Sequence, residues 1–276
     1  MKEFYVVGNP VSQSISPLIF KYWFNKYKIR SFYKKKKLNK KSFEKQFKNL
    51  IETKKCLGAN ITVPFKKRVE KIVDRQTKAA KEIGAINCVY KKNNQTIGTN
   101  TDWRGFIKSV KHQNKNITTN TAAIIGFGGA TLAIIYALKK MGFKKIDIFV
   151  RDIKKTKGYF KKNKQISFCN INKINKNAKN FNLLINTTTT SSVKKLKINL
   201  SKLTSRCVVV DINYKPHETS LIKCAKKEKR KISYGLYMLL FQATPTFYHW
   251  FGFYPKVDNK LIEVCKKRLS KWLLLG

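Results

Sequence analysis

Apolar and polar positions along this chain follow two rhythms, and each change of rhythm marks an element boundary. Phe4-Tyr5-Val6-Val7-Gly8 is an apolar run of strand length. Ser16-Pro17 predicts a helix start, with Ser at the cap and Pro at the first helical position. Leu18, Ile19, Tyr22 and Trp23 follow at helical spacing. Ser31-Phe32-Tyr33 predicts a second strand, which leads into a basic connector. Residues 42–53 predict a helix with Phe43, Phe47, Leu50 and Ile51 on one face. Residues 59–63 predict a strand stopped by Pro64, which has no N–H for a sheet ladder. A helix is predicted over 76–83, closed by Gly84, and a strand over 85–90 whose one internal polar residue is Asn87. Asn93-Asn94 turns the chain back antiparallel through 96–99, and 103–110 is amphipathic and helical.

The second half has a plainer pattern. Residues 121–126 are apolar enough for a strand inside a parallel sheet, and they run into Gly126-Phe127-Gly128-Gly129-Ala130. A helix to Met141 follows, ended by Gly142, and 145–150 form the next apolar strand. Further strands are predicted at 183–186, 208–214 and 232–234, with a helix at 220–227. The polar residues at the ends of the first two, Asn186 and Asp211 among them, read as facing a ligand. A helix opens at Gly235, and 257–274 close the chain with Leu261, Val264, Cys265, Arg268 and Leu269 on one side. Alternating strands and helices give the α/β class, and 276 residues suffice for two domains.

Charge changes this picture little. Sixty Lys and Arg against 14 Asp and Glu give a net charge of +46, which would attract any polyanion. The lysines are spread along the whole chain, and Lys, Asn, Ile and Phe, all frequent here, are the residues of A+T-rich codons. The charge therefore reads as compositional drift, with nonspecific polyanion binding as a side effect and no specific nucleic-acid partner. Six scattered cysteines without a CxxC pair, and no signal segment at Met1-Lys2-Glu3-Phe4, predict reduced thiols in a cytoplasmic protein. His112, His217 and His249 have no ligand-like neighbours, so no metal site is expected. No apolar run approaches the ~20 residues that span a bilayer.

Candidate chemistry gathers at element ends. Asp102 is one of few acids and stands where a loop becomes a helix. Lys66 lies just past a strand stop, at the edge where α/β proteins place ligands, although most lysines in such a chain are solvated surface charges. Ser14 and Ser16 serve either as turn and cap residues or as paired hydroxyls for a polar ligand. A buried Asn87 needs partners, from backbone or from a hydroxylated ligand. Gly126 and Gly128 let the backbone approach a pyrophosphate at a helix N-terminus. Thr131 takes the third place of the GxGxxG pattern. The strand ending at Val150 is followed by Arg151, Asp152, Lys154 and Lys155. The basic residues suit the 2′-phosphate of NADP, while an inward Asp152 would repel it. Met238 reads otherwise as core and Gln242 as an exposed polar position.

Seven stretches, GNPVSQSISP (8–17), GANITVPFK (58–66), GAIN (84–87), GTNTDWRG (98–105), GFGGA (126–130), DINYKPHET (211–219) and GLYMLLFQA (235–243), together resemble the shikimate dehydrogenase family, in the family's order and over nearly the whole chain. The resemblance implies an N-terminal α/β substrate domain, residues 1–101 completed by the C-terminal helices of 236–276. It also implies a Rossmann-type NADP-binding domain over 102–235, with a cleft between them. It assigns Lys66 and Asp102 as the catalytic pair. Ser14, Ser16, Thr62, Asn87, Asp102, Tyr214 and Gln242 match residues that hold shikimate. Gly126, Phe127, Gly128, Gly129, Ala130, Arg151, Lys155, Thr187, Ile212, Gly235 and Met238 match the NADP side. Four places depart from the family pattern. Gln13 stands where His is usual, Val150 and Asp152 flank the phosphate-binding Arg in place of Asn and Thr, Thr189 and Thr190 replace Ala and Ser, and Tyr237 replaces a common Gly.

The implied activity is the reversible NADPH-dependent reduction of 3-dehydroshikimate to shikimate in aromatic amino-acid biosynthesis, by a soluble monomer or homodimer. Lys66 supplies the proton for the new alkoxide, either directly or as the Lys66–Asp102 pair, and Asp102 holds Lys66 and a substrate hydroxyl in line. An NAD-using quinate/shikimate dehydrogenase is the alternative of the same fold, and a basic nucleic-acid-binding protein the alternative of another class.

Overall fold

The computed structural model describes residues 1–156, 158–159 and 163–271. The side chain of Lys155 and the predicted end of the closing helix at 272–274 lie outside the described residues. By its internal packing the chain divides into one unit of Met1–Arg104 with Leu240–Arg268, and another of Gly105–Leu239 with residues 269–271 of the described chain.

The first unit is built on a mixed sheet. Its elements are β1 (Lys2–Gly8), α1 (Ser16–Lys26), β2 (Ser31–Lys37), α2 (Phe43–Glu52), β3 (Cys56–Ile61), β4 (Arg75–Gln76), α3 (Lys78–Ile83), β5 (Cys88–Lys92) and β6 (Gln95–Thr99), with strand order β2-β1-β3-β5-β6-β4. β2 and β3 flank β1 in parallel, while β5 pairs antiparallel with β3 and β6. Alternate residues of β1 serve opposite faces, as strand geometry requires. Tyr5 and Val7 join Phe43, Phe47, Ile51, Ile61 and Phe65 in one buried cluster. Phe4 faces the other way and stacks on Trp250 at 4.5 Å.

Two expectations shift here. The basic connector after Tyr33 is strand: β2 runs on through Lys34–Lys37, all exposed. An edge strand that pairs on one side only tolerates a row of lysines, and their charge guards the open edge against further pairing. Ser16 is the first helical residue rather than the cap. Ile15 holds the cap position, and the Ser14 hydroxyl accepts the Ser16 N–H at 3.2 Å.

α4 (Asp102–Gln113) follows β6, and the second unit takes over within it. Next come β7 (Thr121–Ile125), α5 (Gly129–Lys140), β8 (Lys145–Val150), β9 (Ile166–Asn170), β10 (Leu183–Asn186), α6 (Val193–Leu196), β11 (Val208–Asp211), α7 (Ser220–Lys227) and β12 (Lys231–Tyr234). The sheet order is β12-β11-β10-β7-β8-β9, with every neighbouring pair parallel. β7 lies between β8 and β10, so the winding reverses beside it. Open α/β sheets bind ligands at the carboxyl ends of the strands around such a reversal. Residues 122–125 of β7 are buried, which accounts for the unbroken apolar run. β9 was not expected from the sequence; as an edge strand it is only half-buried and lacks a clear alternation. α8 (Gly235–Phe251) and α9 (Asn259–Lys271) complete the chain.

Candidate functional site

The C-terminal ends of β3 and β6 carry the catalytic candidates of the first unit. Lys66 Nζ donates to Asp102 Oδ2 at 2.6 Å, with the two side chains 14% and 8% exposed. The local chain fixes both residues. Ile86 N–H donates to the Lys66 carbonyl at 2.7 Å. Asp102 opens α4, and its N–H donates to Asn100 Oδ1 at 3.0 Å. Asn100 Nδ2 is in turn anchored on the Ala85 carbonyl at 2.8 Å. The tight turn of TNTD is thus tied to the GAIN segment by side chains as well as backbone.

Asn87 binds the second oxygen of the acid. Its Nδ2 donates to Asp102 Oδ1 at 2.7 Å and to Thr101 Oγ1 at 2.9 Å, with Gln242 Oε1 at 3.3 Å. Its Oδ1 accepts the Thr101 N–H at 2.7 Å, which sets the amide's orientation. Gln242 is 8% exposed, which sets aside the alternative of an exposed polar position. It reaches this cluster from α8, which carries Pro245 in its interior. Proline supplies no N–H for the carbonyl of Phe241, four residues back. The Thr244 hydroxyl donates to that carbonyl at 3.0 Å instead, so the carbonyl keeps a partner inside the helix.

The structure thus joins Lys66, Asn87, Asp102 and Gln242 in one buried hydrogen-bonded cluster. Ser14 and Ser16 form a separate pair after β1, with hydroxyls 3.2 Å apart. Thr62 follows β3, its N–H donating to the Val7 carbonyl at 2.9 Å. Tyr214 belongs to the second unit, after β11, where burial pushes its phenol up to about 12.

In the second unit the cofactor candidates line the carboxyl edge of the sheet. Gly126 follows β7 with φ of 99°, a conformation that favours glycine, and a Cβ there would lie 2.7 Å from Thr188 Cγ2. A Cβ on Gly128 would meet nothing within 4 Å, so the backbone ahead of α5 is open to a ligand. Phe127 packs edge-on against Phe168 at 5.1 Å, and Gly129 and Ala130 form the first turn of α5. Thr187 Oγ1 donates to the Ile125 carbonyl at 2.9 Å and lies 2.9 Å from Thr131 Oγ1. Ile212 follows β11. Gly235 opens α8 so close to it that a Cβ would sit 2.5 Å from the carbonyl oxygens of Ile212 and Asn213. Met238, a turn further on, is buried.

Arg151 is exposed just past β8. Asp152 Oδ1 accepts the Lys154 N–H at 2.9 Å, which gives the awkward acid a capping role. A glycine cradle ahead of a three-turn helix, with an exposed Arg after the next strand, fits a dinucleotide carrying an extra phosphate.

Asn186 and Asp211 are fully buried and bond each other at 3.1 Å. Asn213 and Thr219 add bonds to the same carboxylate. These strand ends face one another rather than a ligand. Burial, opposed by hydrogen bonds from Ser191, Thr219 and Asn213, raises the Asp211 carboxyl above its ordinary range. Thr131, a departure from the third glycine, is a working member of the turn: its hydroxyl accepts the Gly128 N–H at 2.9 Å. Its β-branched hydroxyl type at that position was the available signal.

A family model described as the shikimate dehydrogenase substrate binding domain matches residues 6–89, and one described as shikimate/quinate 5-dehydrogenase matches residues 108–218. The chain is 34% identical over 265 residues to a shikimate dehydrogenase (NADP(+)) of Pelagibacter ubique, covering 95% of this chain and 98% of the relative. It is 31% identical over 272 residues to one of Sinorhizobium medicae, covering 97% and 95%. The crystal structure of shikimate dehydrogenase from Aquifex aeolicus is similar with a TM-score of 0.83 at 31% identity, over 96% of this chain and 97% of that one.

Proposed function

Because the chain belongs to the shikimate dehydrogenase family, we propose that it catalyses the reversible NADPH-dependent reduction of 3-dehydroshikimate to shikimate. This is an oxidoreductase step at a CH–OH group in aromatic amino-acid biosynthesis. The observation that carries the reading is the ion pair of Lys66 and Asp102, held at 2.6 Å beside Asn87. When bound, NADPH supplies a hydride.

The chain's own groups do the rest. Reduction of a ketone leaves an oxygen that needs a proton, and Lys66 Nζ is its donor; in the oxidation direction the same nitrogen takes the proton back. Asp102 is gripped on both oxygens, by Lys66 and by Asn87, so it orients the ammonium rather than moving to it. Ser14, Ser16, Thr62, Asn87, Tyr214 and Gln242 hydrogen-bond the substrate's polar groups. Sites built on such bonds reject analogues that lack a hydroxyl, because a buried partner is left unpaired.

Gly126, Phe127, Gly128, Gly129, Ala130, Thr187, Ile212, Gly235 and Met238 hold the cofactor. Arg151, with Lys155, binds its 2′-phosphate. Asp152 does not oppose this, since its carboxylate is bent back onto the Lys154 N–H. Six free cysteines fit a reducing cytoplasm. Among the described residues no helix is long and apolar enough to cross a membrane.

Shikimate oxidation with NADP and NAD side by side, with quinate as the control substrate, tests the reading. Turnover should be fastest with shikimate and NADP. A preference for NAD or for quinate would favour the quinate/shikimate alternative, and no turnover with either substrate would end the proposal.

A further inference from the structure

Thr246 stands at a junction that the catalytic reading leaves unused. It lies one turn beyond Gln242 on α8 and is fully buried. Its Oγ1 lies 3.2 Å from Asn60 Nδ2, 3.3 Å from Thr101 Oγ1 and 3.3 Å from the Gln242 carbonyl oxygen. Each neighbour leads to the site. Asn60 Oδ1 accepts from the Tyr33 phenol at 2.8 Å, and its Nδ2 also donates to the Asn87 carbonyl at 3.2 Å. Asn87 Nδ2 donates to Thr101 Oγ1 at 2.9 Å and to Asp102 Oδ1 at 2.7 Å. An unbroken hydrogen-bonded chain therefore runs from Tyr33 through Asn60, Thr246, Thr101 and Asn87 to Asp102 and Lys66. From Asn60 to Asp102 every member is buried.

Resting on the function proposed above, we propose that Thr246 is a positioning residue of that reaction, whose hydroxyl sets the orientation of Thr101 and Asn87 and through them the Lys66–Asp102 geometry. The physical ground is the scarcity of donors. A hydroxyl brings one hydrogen and two lone pairs. Thr101 has one hydrogen and several acceptors in reach: Asn87 Oδ1, Gln242 Oε1 and Thr246 Oγ1. The single Thr246 hydrogen goes to the Gln242 carbonyl, so Thr246 Oγ1 accepts the Thr101 hydrogen and leaves the Thr101 lone pairs to receive Asn87 Nδ2 at 2.9 Å. Thr246 also accepts from Asn60, which keeps the Asn60 amide turned towards the Asn87 carbonyl. Without that hydroxyl the Asn87 amide loses one of the restraints that aim its Nδ2 at Asp102. Thr246 itself touches neither substrate nor cofactor in this account.

Three substitutions separate hydroxyl from packing. Thr246→Val keeps the volume and removes the hydroxyl, while Thr246→Ser keeps the hydroxyl and removes a methyl. Thr246→Ala differs from the Ser variant by the hydroxyl alone, so the Ser and Ala pair carries the test if the Val variant does not fold. Shikimate oxidation with NADP is measured for each, with thermal melts as the folding control. We expect kcat to fall about tenfold in the Val and Ala variants, the worth of one well-made hydrogen bond in the network. The KM for NADP should be unchanged, and the Ser variant should retain most of the wild-type kcat. Val at or above Ser in kcat, or Ser equal to Ala, would assign Thr246 to packing and overturn the proposal. A wild-type protein without shikimate turnover would instead overturn the functional reading, and this role with it.

Discussion

Replacing Lys66 tests charge and proton transfer separately. In the native protein its ammonium and the Asp102 carboxylate are 14% and 8% exposed and 2.6 Å apart. Lys66→Ala leaves Asp102 with Asn87 as its side-chain partner, at 2.7 Å. A fully buried carboxylate stripped of its cation costs about 3–5 kcal/mol. Here the space left by the lysine stem adjoins a partly exposed position, and water entering it should reduce the loss to about 2 kcal/mol. The kinetic effect is larger if Lys66 has the proposed role, because the variant then lacks its general acid. A fall in kcat of about 10²- to 10⁴-fold is expected, which corresponds to roughly 3–5 kcal/mol of barrier. The KM for shikimate should rise by about tenfold at most, since Ser14, Ser16, Asn87 and Gln242 remain. Lys66→Arg decides which property matters. Arginine restores the cation beside Asp102 and most of the stability, but it does not give up its proton in a protein, so kcat should stay low. Initial rates followed by NADPH absorbance, beside thermal melts of both variants, give the answer. Turnover of Lys66→Ala within tenfold of wild type, or full recovery in Lys66→Arg, would refute the assignment of Lys66 as proton donor.

Arg151→Ala should raise the KM for NADPH about tenfold or more, the worth of a charge-assisted bond to phosphate, and leave that for NADH unchanged; equal losses in steady-state assays would argue against a 2′-phosphate contact. Asp258 links α1 to the start of α9. Burial pulls its carboxyl upward, but bonds from Lys26, the Leu261 N–H and Tyr22 outweigh that and lower it to about 2. A depressed acid stabilises the fold above its unfolded value near 4, and that stabilisation, about 1 kcal/mol for a pair so open to solvent, is lost as pH falls towards 2. Asp258→Asn keeps a good helix cap, so urea melts should show the variant less stable at pH 6 and converging with wild type near pH 2; a constant gap across that range would contradict the assignment.

The fold was legible where burial was one- or two-sided and regular. The apolar run of β7, the 3.6-residue period of α2 and the Asn93-Asn94 turn each appear where the pattern places them. It was illegible at sheet edges. β2 carries four lysines and β9 shows no clean alternation. Edge strands bury little, so their residues follow the need to stay soluble and unpaired rather than the need to fill a core. The cap before α1 was misplaced by one residue for a related reason. Ser14, Ile15 and Ser16 all lie within one turn, and backbone dihedrals, invisible in the sequence, decide which of them caps.

The sites divide along a different line. Lys66 and Asp102 were found because each stands at an element end, but element patterns alone could not supply their meeting across thirty-six positions, which came only from the family resemblance. Polar residues at strand ends read alike whether they turn outward to a ligand or sideways to one another. Asn186 looks from the sequence just like Thr187, one residue further on, yet Asn186 and Asp211 bury their side chains against each other on neighbouring strands. Their role follows from register: β10 and β11 pair Asn186 opposite Asp211, so an amide and a carboxylate meet where the sheet ends. There they hold the two loops that follow, with Asn213 reaching back to the Thr188 carbonyl at 2.9 Å. A buried acid whose protonated form is favoured by burial is costly to keep charged. Its place beside Asn186, Ser191, Asn213 and Thr219 makes sense as an anchor for the loops bearing Thr187 and Ile212, the loops to which the proposed function gives the cofactor.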